Sequence, residues 1–189
     1  MKRLLSTIII IIVSGWVINS YSQSPASEND PQTKKIKWYD FEEAVAANKK
    51  HPKKLFLDMY TSWCGWCKRM DQTTFLNPVI VDYMNKNFYA VHFNAERKDT
   101  VNFQGKAYVN ANPANKRSSH QLAQMLLHGR MSYPSFVFLN EKQELITVVP
   151  GYRKPSQFES ILVYIGDDVY KTKKWEEFNS TFKPTATDQ

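Results

Sequence analysis

Leu55-Phe56-Leu57-Asp58-Met59-Tyr60-Thr61-Ser62-Trp63-Cys64-Gly65-Trp66-Cys67-Lys68 is the stretch that decides the fold of this chain. From Leu55 to Tyr60 the apolar residues occupy both alternating faces, the pattern of a central strand covered on two sides. Asp58 is the single charge inside that run. The chain then turns at Thr61-Ser62-Trp63 into a helix that begins near Cys64. With Cys64 at the helix start, Cys67 lies one turn on, on the same face, and the two Cα atoms fall within disulfide reach, roughly 5.5 Å. The first sulfur faces the unsatisfied N–H groups and positive dipole end of the helix, which favour a thiolate. Cys64 is therefore expected to be the exposed attacking nucleophile and Cys67 the buried resolving thiol. Attack on a disulfide yields a mixed disulfide at Cys64, which Cys67 then releases. A carboxylate in an apolar strand is desolvated and its pKa rises, so Asp58 is expected to accept and return the proton of Cys67. The plainer alternative places Asp58 at a sheet edge, solvated or paired with a lysine.

Working outward, residues 23–36 are rich in Ser, Pro, Asn, Asp and Lys and read as a flexible linker. Asp40 followed by Glu43 predicts a capped helix over 41–48, stopped by Pro52. Beyond the cysteines, Asn77-Pro78 places Pro at a favoured first helical position. Phe88 to Phe93 reads as a strand. Residues 94–117 are polar without a period, long for a loop, and the whole excursion 94–130 is a candidate partner-selecting segment with a tolerated surface insertion as the alternative. Ser118 or Ser119 is expected to cap a helix through Leu127, ended by Gly129. Phe136–Leu139 and Leu145–Val149 form a hairpin, Pro155 opens an amphipathic helix, and Trp175 and Phe178 mark a last helical piece. Strands alternating with helices and closed by a hairpin imply an α/β domain with a mixed sheet.

The chain has 189 residues, enough for one core, with 42% hydrophobic, 14% aromatic and 23% charged residues. Its formal charge of +7 comes from scattered lysine pairs such as Lys34/Lys35 and Lys53/Lys54. That pattern reads as a solvated surface, not a nucleic-acid interface. Lys2 and Arg3, the apolar Leu4–Ile18 and Ser20-Tyr21-Ser22 predict a signal peptide over 1–22, cleaved before Gln23, with no membrane insertion afterwards. The alternative is an uncleaved anchor, for which the apolar stretch is short. The protein is thus expected in the periplasm or secreted. Its only two cysteines are Cys64 and Cys67. A disulfide closing so short a loop constrains little chain entropy, so redox chemistry is a better account than a structural staple. A closed zinc site needs four ligands. His51, His92, His120 and His128 do not stand at ligand spacing from one another, and His92 reads as a packed or surface imidazole. No metal and no cofactor are expected, with copper or zinc delivery by the same cysteines as the rival function.

Met131-Ser132-Tyr133-Pro134-Ser135 sets a proline directly before a strand, which marks a special turn with a cis bond among the options. Together, Leu57-Asp58-Met59-Tyr60, Trp63-Cys64-Gly65-Trp66-Cys67-Lys68 and Tyr133-Pro134-Ser135 resemble the thioredoxin family, from about Trp38 to Ile165. The resemblance implies a thioredoxin fold over 37–183, with helices on both faces of a central mixed sheet and a polar tail over 184–189. It implies catalysis by Cys64, Cys67 and Asp58, with substrate contacts from Trp63, Trp66, the cis-proline loop at Tyr133 and Pro134, and Gly151 beside the groove. The Met70–Phe75 stretch looks similar to the soluble carboxy-terminal domain of periplasmic thiol-disulfide interchange proteins, which implies reduction of protein disulfides fed by a membrane electron donor. Two features depart from the family: Gly65-Trp66 replaces its common Gly-Pro, and the 94–130 excursion is longer than in a minimal member.

Overall fold

The computed structural model describes residues 34–188. The expected signal peptide and residues 23–33 of the expected linker lie outside the described residues. The elements are β1 (Trp38–Tyr39), α1 (Phe41–Lys50), β2 (Lys54–Tyr60), α2 (Gly65–Gln72), α3 (Pro78–Asn87), β3 (Phe88–Asn94), β4 (Val101–Phe103) and β5 (Lys106–Tyr108), then α4 (Gln121–Leu126), β6 (Ser135–Leu139), β7 (Leu145–Pro150), α5 (Pro155–Gly166) and α6 (Trp175–Thr181). The main sheet runs β1-β3-β2-β6-β7. β1 and β2 lie parallel to β3, while β6 is antiparallel to β2 and to β7.

β2 is central, as its doubly apolar pattern predicts, and strand alternation sorts its side chains. Leu55, Leu57 and Met59 join Phe41, Tyr89, Val91, Phe93, Val137 and Leu139 on the face covered by α1 and α4. Phe56 joins Ala90, Phe136 and Phe138 on the opposite face, with Met70 of α2, Ile80 of α3 and Phe158 of α5. Ring centroids of Phe88, Phe136, Phe138 and Phe158 all lie within 6.5 Å of that of Phe56. By the same alternation Asp58 points to the Phe56 face, the one roofed by α2.

The helix starts follow local chemistry. Asn77 accepts the Val79 N–H at 3.0 Å and Pro78 opens α3, while the Glu43 carboxylate reaches back to the Asp40 N–H at 3.4 Å. The cap of α4 is His120, not Ser118 or Ser119: its Nδ1 accepts the Leu122 N–H at 3.2 Å. There are three further differences from expectation, two of them in very short elements, which carry no readable period. β1 has two residues and pairs with β3. Residues 94–117 contain the β4–β5 hairpin, whose Val101, Phe103 and Tyr108 are buried in the first core. Ile36, at the end of the expected linker, is buried. The polar tail does not hang free. Glu159 of α5 accepts the Thr185 and Ala186 N–H groups, both at 2.7 Å, and the Thr185 hydroxyl at 2.8 Å.

Candidate active site

Cys64 and Cys67 form a disulfide with Cα atoms 5.3 Å apart. Cys64 is the N-cap of α2, and its Sγ accepts the Cys67 N–H at 3.1 Å. That donor is one of the orphan N–H groups at a helix start. The same hydrogen bond, made to a thiolate, is charge-assisted and stronger. One expectation changes. Cys64 is 5% exposed, hardly more than Cys67 at 2%. The exposed surface at this turn belongs to Trp63 (49%) and Trp66 (62%). The two sulfurs therefore differ by their place on the helix more than by access in the disulfide form.

Asp58 is buried, 1% exposed. Its register partner on β3 is His92, whose Nε2 lies 3.1 Å from Asp58 Oδ2. The approach is close enough for an ion pair, yet its angle leaves both carboxylate oxygens without an aligned hydrogen-bond donor. Burial pushes the Asp58 carboxyl above its ordinary value; the His92 contact pulls it back and the Asp71 charge adds to the rise. Asp71 stands on α2 four residues after Cys67, hence on the same helix face, and its Oδ1 is 3.9 Å from His92 Nε2. Burial raises Asp71 as well, opposed by His92. The imidazole is held by rings: it stacks on Tyr60 at 3.9 Å and lies 5.2 Å from Trp38. With the His92 side chain 29% exposed and that of Asp71 39%, the pair connects a buried carboxylate to solvent.

His92 is the packed, partly exposed imidazole that the sequence suggests; its partnership with Asp58, set by the pairing of β2 with β3, is what the sequence reading missed. Asp71 carried no sequence signal beyond its spacing from Cys67. Donor atoms of Asp58, Asp71 and His92 all lie within 4.8 Å of one another, close enough to serve one divalent cation. The disulfide sulfurs are not part of this cluster.

The Tyr133–Pro134 peptide bond is cis. Pro134 O accepts the Gly151 N–H at 2.7 Å. Gly151 has φ 88°, a left-handed conformation open to glycine. The tryptophans flanking the cysteines reach this loop. Trp63 stands edge-on to Tyr133 at 6.0 Å, and Trp66 lies 5.1 Å from Tyr152. The fold thus brings Cys64, Cys67, Trp63, Trp66, Tyr133, Pro134 and Gly151 to one end of the sheet. The excursion after β3 arrives there too. Glu96 Oε1 accepts the Trp63 indole N–H at 2.9 Å, and the Arg117 guanidinium lies 4.9 Å from the Trp63 ring centre. Among the described residues, no helix is long and apolar enough to cross a membrane.

Comparisons with known proteins agree with this geometry. A family profile described as a thioredoxin-like domain matches residues 41–166. An uncharacterised protein of Archaeoglobus fulgidus is 25% identical over 100 residues, covering 53% of this chain and 72% of that protein. Spermatogenesis-associated protein 20 of Rattus norvegicus is 32% identical over 77 residues, but the match spans 40% of this chain and only 10% of that protein. Among solved structures, a thioredoxin-fold protein from Helicobacter pylori superimposes with a TM-score of 0.52 at 24% identity, covering 68% of this chain and 79% of that one. A DsbH oxidoreductase superimposes with a TM-score of 0.50 at 17% identity, covering 80% of this chain and 96% of that one. At these identities the structural likenesses establish the fold.

Proposed function

The chain belongs to the thioredoxin-like family, and from that premise we propose that it is an exported thiol-disulfide oxidoreductase that reduces protein disulfides. The observation that carries the proposal is the placement of Cys64 Sγ at the N-cap of α2, bonded to the Cys67 N–H, at the end of a strand that buries Asp58. In the reduced protein the Cys64 thiolate attacks one sulfur of a substrate disulfide. A mixed disulfide forms, and the departing substrate sulfur takes a proton. Cys67 then gives its proton to Asp58, and its sulfur attacks Cys64 Sγ. The Cys64–Cys67 disulfide forms, and the second substrate sulfur leaves as a thiolate that takes a proton from water. Two electrons pass from protein to substrate. His92 and Asp71 give the proton on Asp58 a way to water. Trp63, Trp66, Tyr133, Pro134 and Gly151 line the surface against which the substrate segment would lie.

The reducing direction rests on Trp66. Directly before Cys67 it offers no charge, so the Cys64 thiolate has the helix terminus and little else to stabilise it, and a weakly stabilised thiolate makes a reductant. Lys68 is exposed, and its long stem keeps the charge in water. In an oxidising compartment such a pair needs an electron donor, for which a membrane dithiol carrier is the natural class. The basic and apolar segment Lys2–Ile18 followed by Ser20-Tyr21-Ser22 supports export.

Trapping tests the proposal. Cys67→Ser is expected to accumulate mixed disulfides on Cys64, and Cys64→Ser to form none. Equal trapping by both variants contradicts the assignment. Equilibration with glutathione buffers reads the direction. A potential near that of the strong oxidases, about −120 mV, would make the protein a disulfide donor.

A further inference from the structure

We propose that the cleft beside Trp63 is a binding subsite for an acidic side chain, an Asp or Glu near the target cysteine of the partner polypeptide. The proposal rests on the redox reading above and names the substrate class of that site. The cleft encloses about 280 Å³, with Trp63, Glu96, Lys98, Asn115, Lys116 and Arg117 in its wall. That is slightly below the ~300 Å³ at which small-molecule pockets begin, a size suited to one side chain.

Its charge is unbalanced. Three cations face one carboxylate, and Glu96 already accepts the Trp63 indole N–H. Among the described residues, Lys98, Lys116 and Arg117 have no carboxylate within ion-pair distance. The Arg117 guanidinium rests over the Trp63 ring, 4.9 Å from its centre, and none of its N–H groups is paired with a carboxylate among the described residues.

The loop that delivers Arg117 is held in place. Asn110 is 6% exposed and ties the loop's neck, donating to Arg97 O at 3.2 Å and Ser118 O at 2.7 Å while accepting the Ser118 hydroxyl at 2.7 Å. Arg117 itself has φ 66°, a left-handed conformation that long side chains rarely adopt. A tied neck and a strained residue set a cation against the tryptophan next to Cys64. Charge complementarity therefore selects an acidic occupant, and it hastens encounter with an acidic partner at low ionic strength.

The test compares disulfide-bridged peptides that differ only in residues flanking the cysteine: Asp and Glu in one, Asn and Gln in the other, Lys in a third. At low salt, kcat/KM is expected to favour the acidic peptide over the neutral one by about tenfold. The ratio should fall toward one in 0.5 M NaCl, where screening is strong. Lys116→Glu combined with Arg117→Glu should reverse the order and favour the lysine peptide. Lys98→Glu alone should weaken the acidic preference. Equal kcat/KM for the acidic and neutral peptides at low salt, with both reduced, overturns the subsite and leaves the redox reading standing. If the wild-type protein reduces neither peptide, the redox reading falls and the subsite falls with it.

Discussion

Asp58 and His92 lie side chain to side chain across β2 and β3, one fully buried and one reaching water. An unsatisfied buried carboxylate disfavours the fold in its charged form, and burial is the leading cause of the upward shift at Asp58. A raised carboxyl pKa means the folded state holds its proton to higher pH than the unfolded chain does. Stability is therefore full below the unfolded value of 3.8. It declines as pH rises toward the folded pKa and stays lower beyond it. Asp58→Asn keeps the shape and removes the charge. It is expected to raise stability by about 1–3 kcal/mol at pH 7, because a neutral amide is less costly to bury without partners than a carboxylate, with the gain vanishing below about pH 4. Urea unfolding across pH measures this. If Asp58 serves Cys67 as a base, the same variant should slow release of the mixed disulfide, read by stopped-flow. A variant neither more stable nor slower would show that Asp58 takes no part in the exchange.

The β4–β5 hairpin shows what an unpatterned segment can do. Its strands have three residues each, so alternation never repeats, yet Phe103 is 3% exposed and stands edge-on to Phe41 of α1 at 5.2 Å. The Glu42 carboxylate of α1 accepts the backbone N–H of Asn102 at 2.8 Å. The hairpin is thus anchored in the core, and the loop after it carries Arg117 to Trp63. Phe103→Ala is expected to cost about 3–5 kcal/mol, as truncation of a buried aromatic does, measured by chemical denaturation. A cost below about 1 kcal/mol, the range of surface substitutions, would mark the hairpin as a surface excursion that the fold tolerates. Glu42→Ala should act more gently, speeding amide exchange at Asn102 with a loss of about 1 kcal/mol.

At the scale of the molecule, two cores on opposite faces of one sheet lock the redox helix and the cis-proline loop to the same end. The C-terminal residues complete the second core. Ala186 packs into it, Asp188 accepts the Ser156 N–H at 3.0 Å, and Thr187 O accepts from Asn77 at 3.3 Å. Glu159 holds the strap with both carboxylate oxygens while 6% exposed. Deleting residues 184–189 takes away all three of those donors and the packing of Ala186, so a loss of about 1–3 kcal/mol is expected. A truncated chain as stable as the full one, by thermal unfolding, would mean the strap contributes nothing.

The sequence alone determined the features whose causes are local. Apolar residues on both faces of 55–60 made β2 central, the spacing of Cys64 and Cys67 at a helix start defined the redox pair, and Asn77-Pro78 opened α3. The likeness of Tyr133-Pro134-Ser135 and Gly151 to a known groove implied their neighbourhood. What only the tertiary structure decided has causes far apart in the chain. Strand register put His92 against Asp58, helix facing put Asp71 beside them, and a hairpin too short to show a period carried Arg117 to Trp63. Packing of the C-terminal residues against α5 also set Thr185 and Ala186 against Glu159. Spacing and periodicity report contacts within one helix or strand, whereas these pairings arise when separate elements bury their apolar faces together, and no local pattern records which polar groups that packing brings into contact.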